Sequence, residues 1–193
     1  MAGWYNAVSF LRKSFTCGFC SKNVAPSIGY INNDANNNAI AFIVICPNCD
    51  SPTYFDKYKI QFPKVRLGEE VQGISDAGVE SLYNEARDCT SVGAYTSVVM
   101  TCRKILMNLA VQHDAKENQS FVYYVEFLAE KGYVPPNGKP WVDEIRKKGN
   151  DANHEIRIMT EPEAKQILKF VEMLLRFNYE FPSMLNPPET PSS

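Results

Sequence analysis

The pattern of hydrophobic and polar positions changes character about a third of the way along the chain. Up to residue 66, apolar residues come in short runs bounded by Asn, Asp, Gly and Pro, which is typical of strands and turns. From residue 75 onward, apolar residues recur at intervals of three and four, which indicates amphipathic helices. We therefore predict an α+β protein, with a small N-terminal β module followed by an all-α bundle of about five helices.

The N-terminal pattern predicts three main strands, at residues 27–32, 39–45 and 53–61. The first two are separated by an Asn-rich run, and Asn tolerates the left-handed backbone of tight turns, so residues 32–38 are expected to be a hairpin tip. In the third run, alternation would place Lys57 and Lys59 on one exposed strand face.

The C-terminal pattern predicts five helices with identifiable ends. Ser75 or Asp76 can cap the first helix, and Thr160 with Glu163 forms a capping box at the start of the fifth. Gly132 is expected to end the third. The predicted organisation is a module at 1–66, a linker at 67–74, a bundle at 75–180 and a mobile Pro-rich tail at 181–193.

Four cysteines in the N-terminal module have the spacing of a metal site. Cys17 and Cys20 form one Cys-x-x-Cys pair, and Cys46 and Cys49 form a second. Two such pairs supply four thiolates to one tetrahedral ion, so we predict a structural Zn²⁺ in a zinc ribbon. The alternative is two unrelated thiol pairs, either reduced or forming disulfides.

The charge of the chain is distributed unevenly. Residues 1–66 hold seven Lys and Arg against three Asp, whereas residues 67–193 hold thirteen basic and nineteen acidic residues. A basic front part favours contact with phosphate, although four thiolates on a dication would remove two positive charges from it. The candidate nucleic-acid contacts are Arg12, Lys13, Lys57 and Lys59.

Hydropathy predicts no membrane-spanning helix, so we expect no membrane partner. The first residues lack the basic and apolar regions of a signal peptide. The expected location is therefore cytoplasmic, where paired cysteines favour metal over disulfides.

The helical part contains one polar constellation of interest. Asn150 and His154 are four residues apart and share a helix face, and Arg103 lies near the middle of the second predicted helix. A pair of helices could bring Arg103 close to His154, where an imidazole can act as a general base. The structural alternative is a polar pair that satisfies hydrogen bonds between helices.

Several stretches of the helical part resemble a known family. They are Leu82-Tyr83-Asn84-Glu85-Ala86-Arg87, Gly93-Ala94-Tyr95, Cys102-Arg103-Lys104-Ile105-Leu106 and Gly149-Asn150-x-Ala152-x-His154. Together they resemble a bacterial domain of unknown function in the HEPN superfamily, over roughly residues 70–180. That domain occurs alone, after zinc ribbons, and fused to type I restriction subunits.

The resemblance implies a helical bundle that forms homodimers and, in many members, a metal-independent ribonuclease with an Arg-x4–6-His motif. This sequence departs from the motif: Gly149 stands five residues before His154, Lys148 stands six before it, and Arg146 lies one residue too far. A lysine lacks the bidentate fork with which arginine holds a phosphorane.

These observations favour a binding or regulatory protein with a zinc ribbon and a HEPN-like bundle, linked to nucleic acid and, through the resemblance, to defence-system proteins. The first rival is an active ribonuclease in which His154, Asn150 and Arg103 act together. The second rival is a protein–protein adaptor that does not bind nucleic acid.

Overall fold

The structure, a computed structural model, describes residues 7–9, 14–134, 140–145 and 158–185. It divides the chain into two compact units, Met1–Arg66 and Leu67–Ser193. The first unit contains antiparallel strands and the second contains helices, which confirms the α+β layout.

The described part of the first unit forms two antiparallel sheets. A larger sheet has the strand order β1-β4-β5-β6-β7, and β2 pairs with β3 in a separate hairpin. The strands are β1 (Val8–Ser9), β2 (Phe15–Thr16), β3 (Asn23–Val24), β4 (Ile28–Asn33), β5 (Ala39–Ile45), β6 (Pro52–Phe55) and β7 (Gln61–Phe62).

The predicted hairpin tip lies between β4 and β5. The Asp34 carboxylate accepts hydrogen bonds from the backbone N–H groups of Asn36 (2.9 Å) and Asn38 (2.8 Å). Asn37 has a φ of 65°, in the left-handed region that Asn tolerates better than most residues.

The prediction of one continuous strand over residues 53–61 is wrong. β6 ends at Phe55, and a turn over residues 56–60 leads into β7. The Asp56 carboxylate accepts hydrogen bonds from the N–H groups of Tyr58 (2.9 Å) and Ile60 (2.8 Å), which closes the turn. Lys59 has a φ of 65°, so Lys57 and Lys59 belong to this turn and do not share a strand face.

The second unit is a bundle of helices around one apolar core. The helices are α1 (Ala77–Ser91), α2 (Tyr95–Gln112), α3 (Phe121–Glu130), α4 (described over 140–145), α5 (Glu161–Leu175) and α6 (Phe181–Leu185). Fully buried side chains from the first five helices form the core, among them Tyr83, Leu106, Leu128, Ile145 and Leu168.

Local signals fix the helix ends as predicted. Asp76 caps α1 by accepting hydrogen bonds from the N–H groups of Gly78 and Val79. The Glu163 carboxylate accepts a hydrogen bond from the backbone N–H of Thr160 (2.9 Å), as in a capping box. Gly132 follows α3 with a φ of 83°, which a glycine adopts without steric cost.

The tail differs from its prediction where the structure describes it. A π-helical turn, Arg176–Glu180, joins α5 directly to α6, so the chain stays helical through Leu185. Residues 186–193 lie outside the described residues.

The segment 67–74, predicted as a linker, packs against the bundle. Val71 is buried in the core, and the phenolic hydroxyl of Tyr83 donates a 2.7 Å hydrogen bond to the carbonyl of Glu69. The N–H of Leu67 donates to the hydroxyl of Thr90 at 2.8 Å. We call residues 67–74 the strap.

Candidate metal centre

The four predicted ligands lie at the ends of strands. Cys17 directly follows β2, and Cys46 directly follows β5. In each pair a tight turn then returns the chain, so that the second cysteine, Cys20 or Cys49, faces back toward the first. The β-hairpins thus bring two turns together at one point of the first unit.

The two turns have the same backbone hydrogen bonds. The carbonyl of Cys17 accepts the N–H of Ser21 at 2.9 Å, and the carbonyl of Cys46 accepts the N–H of Asp50 at 2.9 Å. In both turns the N–H of the first cysteine donates to the carbonyl five residues ahead at 3.0 Å. Ser21 and Asp50 both have a φ of 56°. The Cys-x-x-Cys segments are therefore equivalent knuckles.

The sulfur atoms of the cluster have the spacing of one tetrahedral site. The Sγ atoms of Cys17 and Cys49 are 3.8 Å apart, and those of Cys20 and Cys46 are 3.7 Å apart. All four lie within 4.8 Å of one another. A tetrahedron with metal–sulfur bonds of about 2.3 Å has edges of about 3.8 Å, so the four sulfurs could hold one metal ion. The cysteines are free thiols, so the disulfide alternative is not realised in this structure.

The protein environment shifts the pKa values of the thiols in different directions. Burial raises the pKa of Cys17 to about 12 and also raises the pKa of Cys46. Burial opposes ionisation of Cys20 as well, but hydrogen bonds from the backbone of Lys22 and the side chain of Asn48 outweigh it and lower its pKa to about 7. A bound cation would favour the thiolate at every one of these positions.

The first knuckle is anchored by the end of the sheet. A Cβ atom on Gly18 would lie 2.5 Å from the carbonyl oxygen of Pro63, so only glycine permits this approach. The side chain of Gln61 donates hydrogen bonds to the carbonyls of Thr16 (2.9 Å) and Pro63 (3.0 Å). These contacts fix the position of Cys17 relative to the end of β7.

Four thiolates around one ion would leave no coordination position for a substrate or water. Cys17 and Cys46 are fully buried, which further closes the site. The arrangement therefore suits a metal that stabilises the fold rather than one that reacts.

The predicted nucleic-acid contacts are only partly described. Lys57 and Lys59 lie in the turn between β6 and β7, where the Nζ atom of Lys57 is 4.9 Å from the centre of the Tyr58 ring. Arg12 and Lys13 lie outside the described residues. Their role stays a prediction.

Of the predicted catalytic residues, the structure describes Arg103. Its side chain is 5% exposed, and its guanidinium carbon is 4.1 Å from the centre of the Phe121 ring. The Nη1 atom is buried without a hydrogen-bond partner among the described residues, and burial lowers the pKa of the group. Asn150 and His154 lie outside the described residues, so their meeting with Arg103 stays a prediction.

Sequence reasoning missed a buried ionic cluster that holds the strap. Arg176 donates to Glu180 at 2.7 Å and lies 3.5 Å from a Glu172 oxygen. The Glu172 carboxylate accepts the N–H of Glu69 at 3.0 Å, and Arg176 donates to the carbonyl of Glu70 at 3.2 Å. The spacing of four residues between these charges was the available signal.

Among the described residues, no helix is long and apolar enough to cross a membrane. A family model described as a domain of unknown function, DUF4145, matches residues 84–186. No curated protein and no solved structure matches the chain.

Proposed function

The chain belongs to the DUF4145 family, and from that premise we propose that it is a nucleic-acid-binding protein with a zinc ribbon before a HEPN-like helical bundle. The family match covers residues 84–186, within the helical unit, and names no activity. The proposal for function therefore depends on the first unit, where the cysteine cluster lies and basic residues outnumber acidic ones by seven to three.

The observation that carries the zinc assignment is the sulfur spacing. Edges of 3.7 and 3.8 Å are those of a tetrahedral thiolate site, and Zn²⁺ is a common occupant of such sites. The first unit has short strands and a small core, and units of this kind commonly need a bound ion to fold. The ion would hold the two knuckles together and so fix the strands that lead into them.

A structural role can be tested on the full-length chain. Removal of the metal by a chelator under reducing conditions should collapse the amide NMR signals of residues 14–66. Signals of the helical unit should stay dispersed, because its core does not include the cysteine cluster. A first unit that keeps its native signals without metal would contradict the structural role.

Charge supports nucleic acid as the ligand. The first unit keeps a net charge of about +2 after four thiolates and a Zn²⁺ are counted, since it has seven basic and three acidic residues. The charge is concentrated near its end: residues 51–66 contain four basic residues and one acidic residue, Asp56. Such a basic segment favours a polyanion.

Fluorescence anisotropy with labelled RNA and DNA oligonucleotides tests this function. Binding should weaken as salt rises from 50 to 200 mM, because phosphate contacts release counterions. Replacing Lys57 and Lys59 together by alanine should lower affinity for all sequences and reduce the salt slope by about one to two. The matched control is Lys131→Ala in the helical unit. Absence of binding to any oligonucleotide at 50 mM salt would overturn the proposal and favour the adaptor.

The ribonuclease rival receives no support of its own from the described residues. Arg103 is buried against Phe121 and offers little of its guanidinium to a phosphate. Cleavage of RNA without added metal that His154→Ala abolishes would establish this rival. Homodimerisation and a role in defence stay predictions from the resemblance.

A further inference from the structure

Three aromatic residues and one isoleucine form a row across the larger sheet. Tyr30 pairs with Ile43, Ile43 pairs with Tyr54, and Tyr54 pairs with Phe62. Directly paired residues of antiparallel strands point to the same face, so these four side chains cross β4, β5, β6 and β7 in one line. We call them the aromatic row.

The aromatic row is open to solvent. Ile43, Tyr54 and Phe62 are 37%, 43% and 46% exposed, and Tyr30 is half-buried. The rings of Tyr54 and Phe62 stack, with centroids 6.2 Å apart and planes at 29°. A groove of about 220 Å³ lies beside the row, with Tyr30, Asn32 and Tyr54 in its walls.

Beside the row, the opposite face of the sheet carries buried side chains. Val44 and Thr53 point to that face and are fully buried, and the ring of Phe55 there meets Phe15 edge to face at 5.4 Å. At the centre of the sheet, Val44 and Thr53 are therefore buried, whereas the adjacent row residues Ile43 and Tyr54 on the other face are exposed. Exposed apolar and aromatic groups in a contiguous patch mark a site of interaction.

The basic residues near the row in the sequence indicate the kind of molecule that it binds. Phe62, at the end of the row, is flanked along the chain by Lys57, Lys59, Lys64 and Arg66. The one acidic residue of this segment, Asp56, already accepts two hydrogen bonds inside its turn. Protein interfaces are depleted in lysine at their centres, whereas single-stranded nucleic acids need aromatic faces for bases beside cations for phosphates.

We propose that the aromatic row stacks the bases of a single-stranded nucleic acid, while the basic segment 57–66 contacts its phosphates. The row crosses three strand spacings, about 14 Å, which suits two or three bases on a four-stranded sheet. Paired bases hide their faces inside a duplex, so the row selects single strands. This inference rests on the proposed nucleic-acid binding and adds the site and the strand preference.

The test compares labelled single-stranded 12-mers of RNA and DNA with duplexes of the same length. Tyr54→Ala and Phe62→Ala should each weaken single-strand binding by about five- to hundred-fold. Tyr54→Phe keeps the ring and should bind like the wild type. The matched control is Phe181→Ala in the helical unit, since Phe181 is 43% exposed, as Tyr54 is, and lies outside both the row and the basic segment.

Photo-crosslinking of the unaltered protein to 4-thiouridine or 5-bromodeoxyuridine oligonucleotides gives a second measurement, independent of any variant that fails to fold. Crosslinks mapped to Tyr30, Tyr54 or Phe62 would support the site, and the extent in RNA and DNA would show which sugar is preferred. Zinc content and circular dichroism of each variant establish that its fold is intact.

The outcomes separate the two proposals. Folded alanine variants that bind like the wild type, equal affinity for duplex and single strand, or crosslinks confined to other residues would overturn the row while nucleic-acid binding stands. Absence of all nucleic-acid binding would overturn both. Self-association that Tyr54→Ala abolishes, without nucleic-acid binding, would assign the row to protein docking instead.

Discussion

The side chain of Gln61 donates a 2.9 Å hydrogen bond to the carbonyl oxygen of Thr16, the residue directly before the first cysteine of the cluster. The same amide group also donates to the carbonyl of Pro63 at 3.0 Å. One side chain thus joins the start of the first knuckle to the end of β7, 45 residues further along the chain.

Gln61→Leu should weaken the metal centre. It removes two hydrogen bonds and leaves two carbonyls without their donor, which costs about 1–3 kcal/mol in the free energy of unfolding. Zinc release to a chromogenic chelator should therefore be faster than in the wild type. Asn36→Ala, at the exposed hairpin tip, is the control and should release zinc at the wild-type rate. Equal release from both variants would contradict the anchoring role of Gln61.

Ser21→Gly should stabilise the first unit. Ser21 has a φ of 56°, a conformation that costs a residue with a Cβ about 1–2 kcal/mol and costs glycine little. Part of this gain is offset by the greater freedom of glycine in the unfolded chain, so the expected increase is up to about 1 kcal/mol. Calorimetry of the zinc-loaded protein measures it.

The control for Ser21 is Ser27→Gly. Ser27 is exposed and lies outside the left-handed region, so glycine there should be neutral or destabilising. Equal effects at the two positions would show that backbone conformation at Ser21 does not limit the stability of the knuckle.

Arg176→Met should loosen the strap. Glu172 and Glu180 are 6% and 7% exposed, and without the guanidinium between them Glu180 loses its counter-charge and Glu172 keeps only the half-exposed Lys169. The expected cost is roughly 2–4 kcal/mol, below that of a fully buried pair because 26% of the arginine side chain is exposed. Hydrogen exchange of residues 67–74 should become faster.

Lys169→Met removes another cation from Glu172 but should cost less than about 1 kcal/mol. Lys169 is 40% exposed, and exposed ion pairs contribute little. Unchanged hydrogen exchange of the strap in Arg176→Met would show that packing of Val71 and its neighbours suffices to hold it.

Metal affinity should fall steeply as the pH decreases from 8 to 6. Burial raises the pKa values of Cys17 and Cys46, so both thiols are protonated in the metal-free protein across this range and lose a proton on binding. Two displaced protons give a change in Kd of about 100-fold for each pH unit, and the slope becomes steeper below pH 7, where Cys20, with a pKa of about 7, is protonated as well. Competition with a chelator of known affinity measures this, and a Kd independent of pH would contradict thiolate ligation.

The features that sequence alone could predict depend on residues close together in the chain. The spacing of Cys17 to Cys20 and of Cys46 to Cys49 predicted the cluster, because a two-residue gap lets the chain turn back so that both sulfurs of a pair can face one ion. The ends of α1 and α5 followed from Asp76, Thr160 and Glu163, each of which bonds within its own helix turn.

The turn after β6 could not be predicted from the sequence in the same way. Lys57, Tyr58 and Lys59 suit a strand by alternation, and the turn is decided by the carboxylate of Asp56. Asp34 closes the earlier turn with the same pattern of hydrogen bonds, but that turn could be predicted because the sequence around it is rich in Asn.

Contacts between distant residues were beyond sequence reasoning. The hydrogen bond between Glu69 of the strap and Glu172 joins residues 103 positions apart in the chain. The aromatic row depends on the register of four strands. Arg103 was singled out because a pair of helices could bring it near His154, and the fold buries it on the ring of Phe121. Its neighbours are set by the packing of α2 against α3, which periodicity does not specify.

Elemental analysis of the purified protein by mass spectrometry tests the central claim most directly. The account predicts one zinc ion for each chain, retained through gel filtration and lost when Cys17 and Cys46 are both replaced by serine. Cobalt substitution should then give the absorption of a tetrahedral tetrathiolate site. A folded protein that carries no metal, and takes up none when zinc is supplied under reducing conditions, would contradict it.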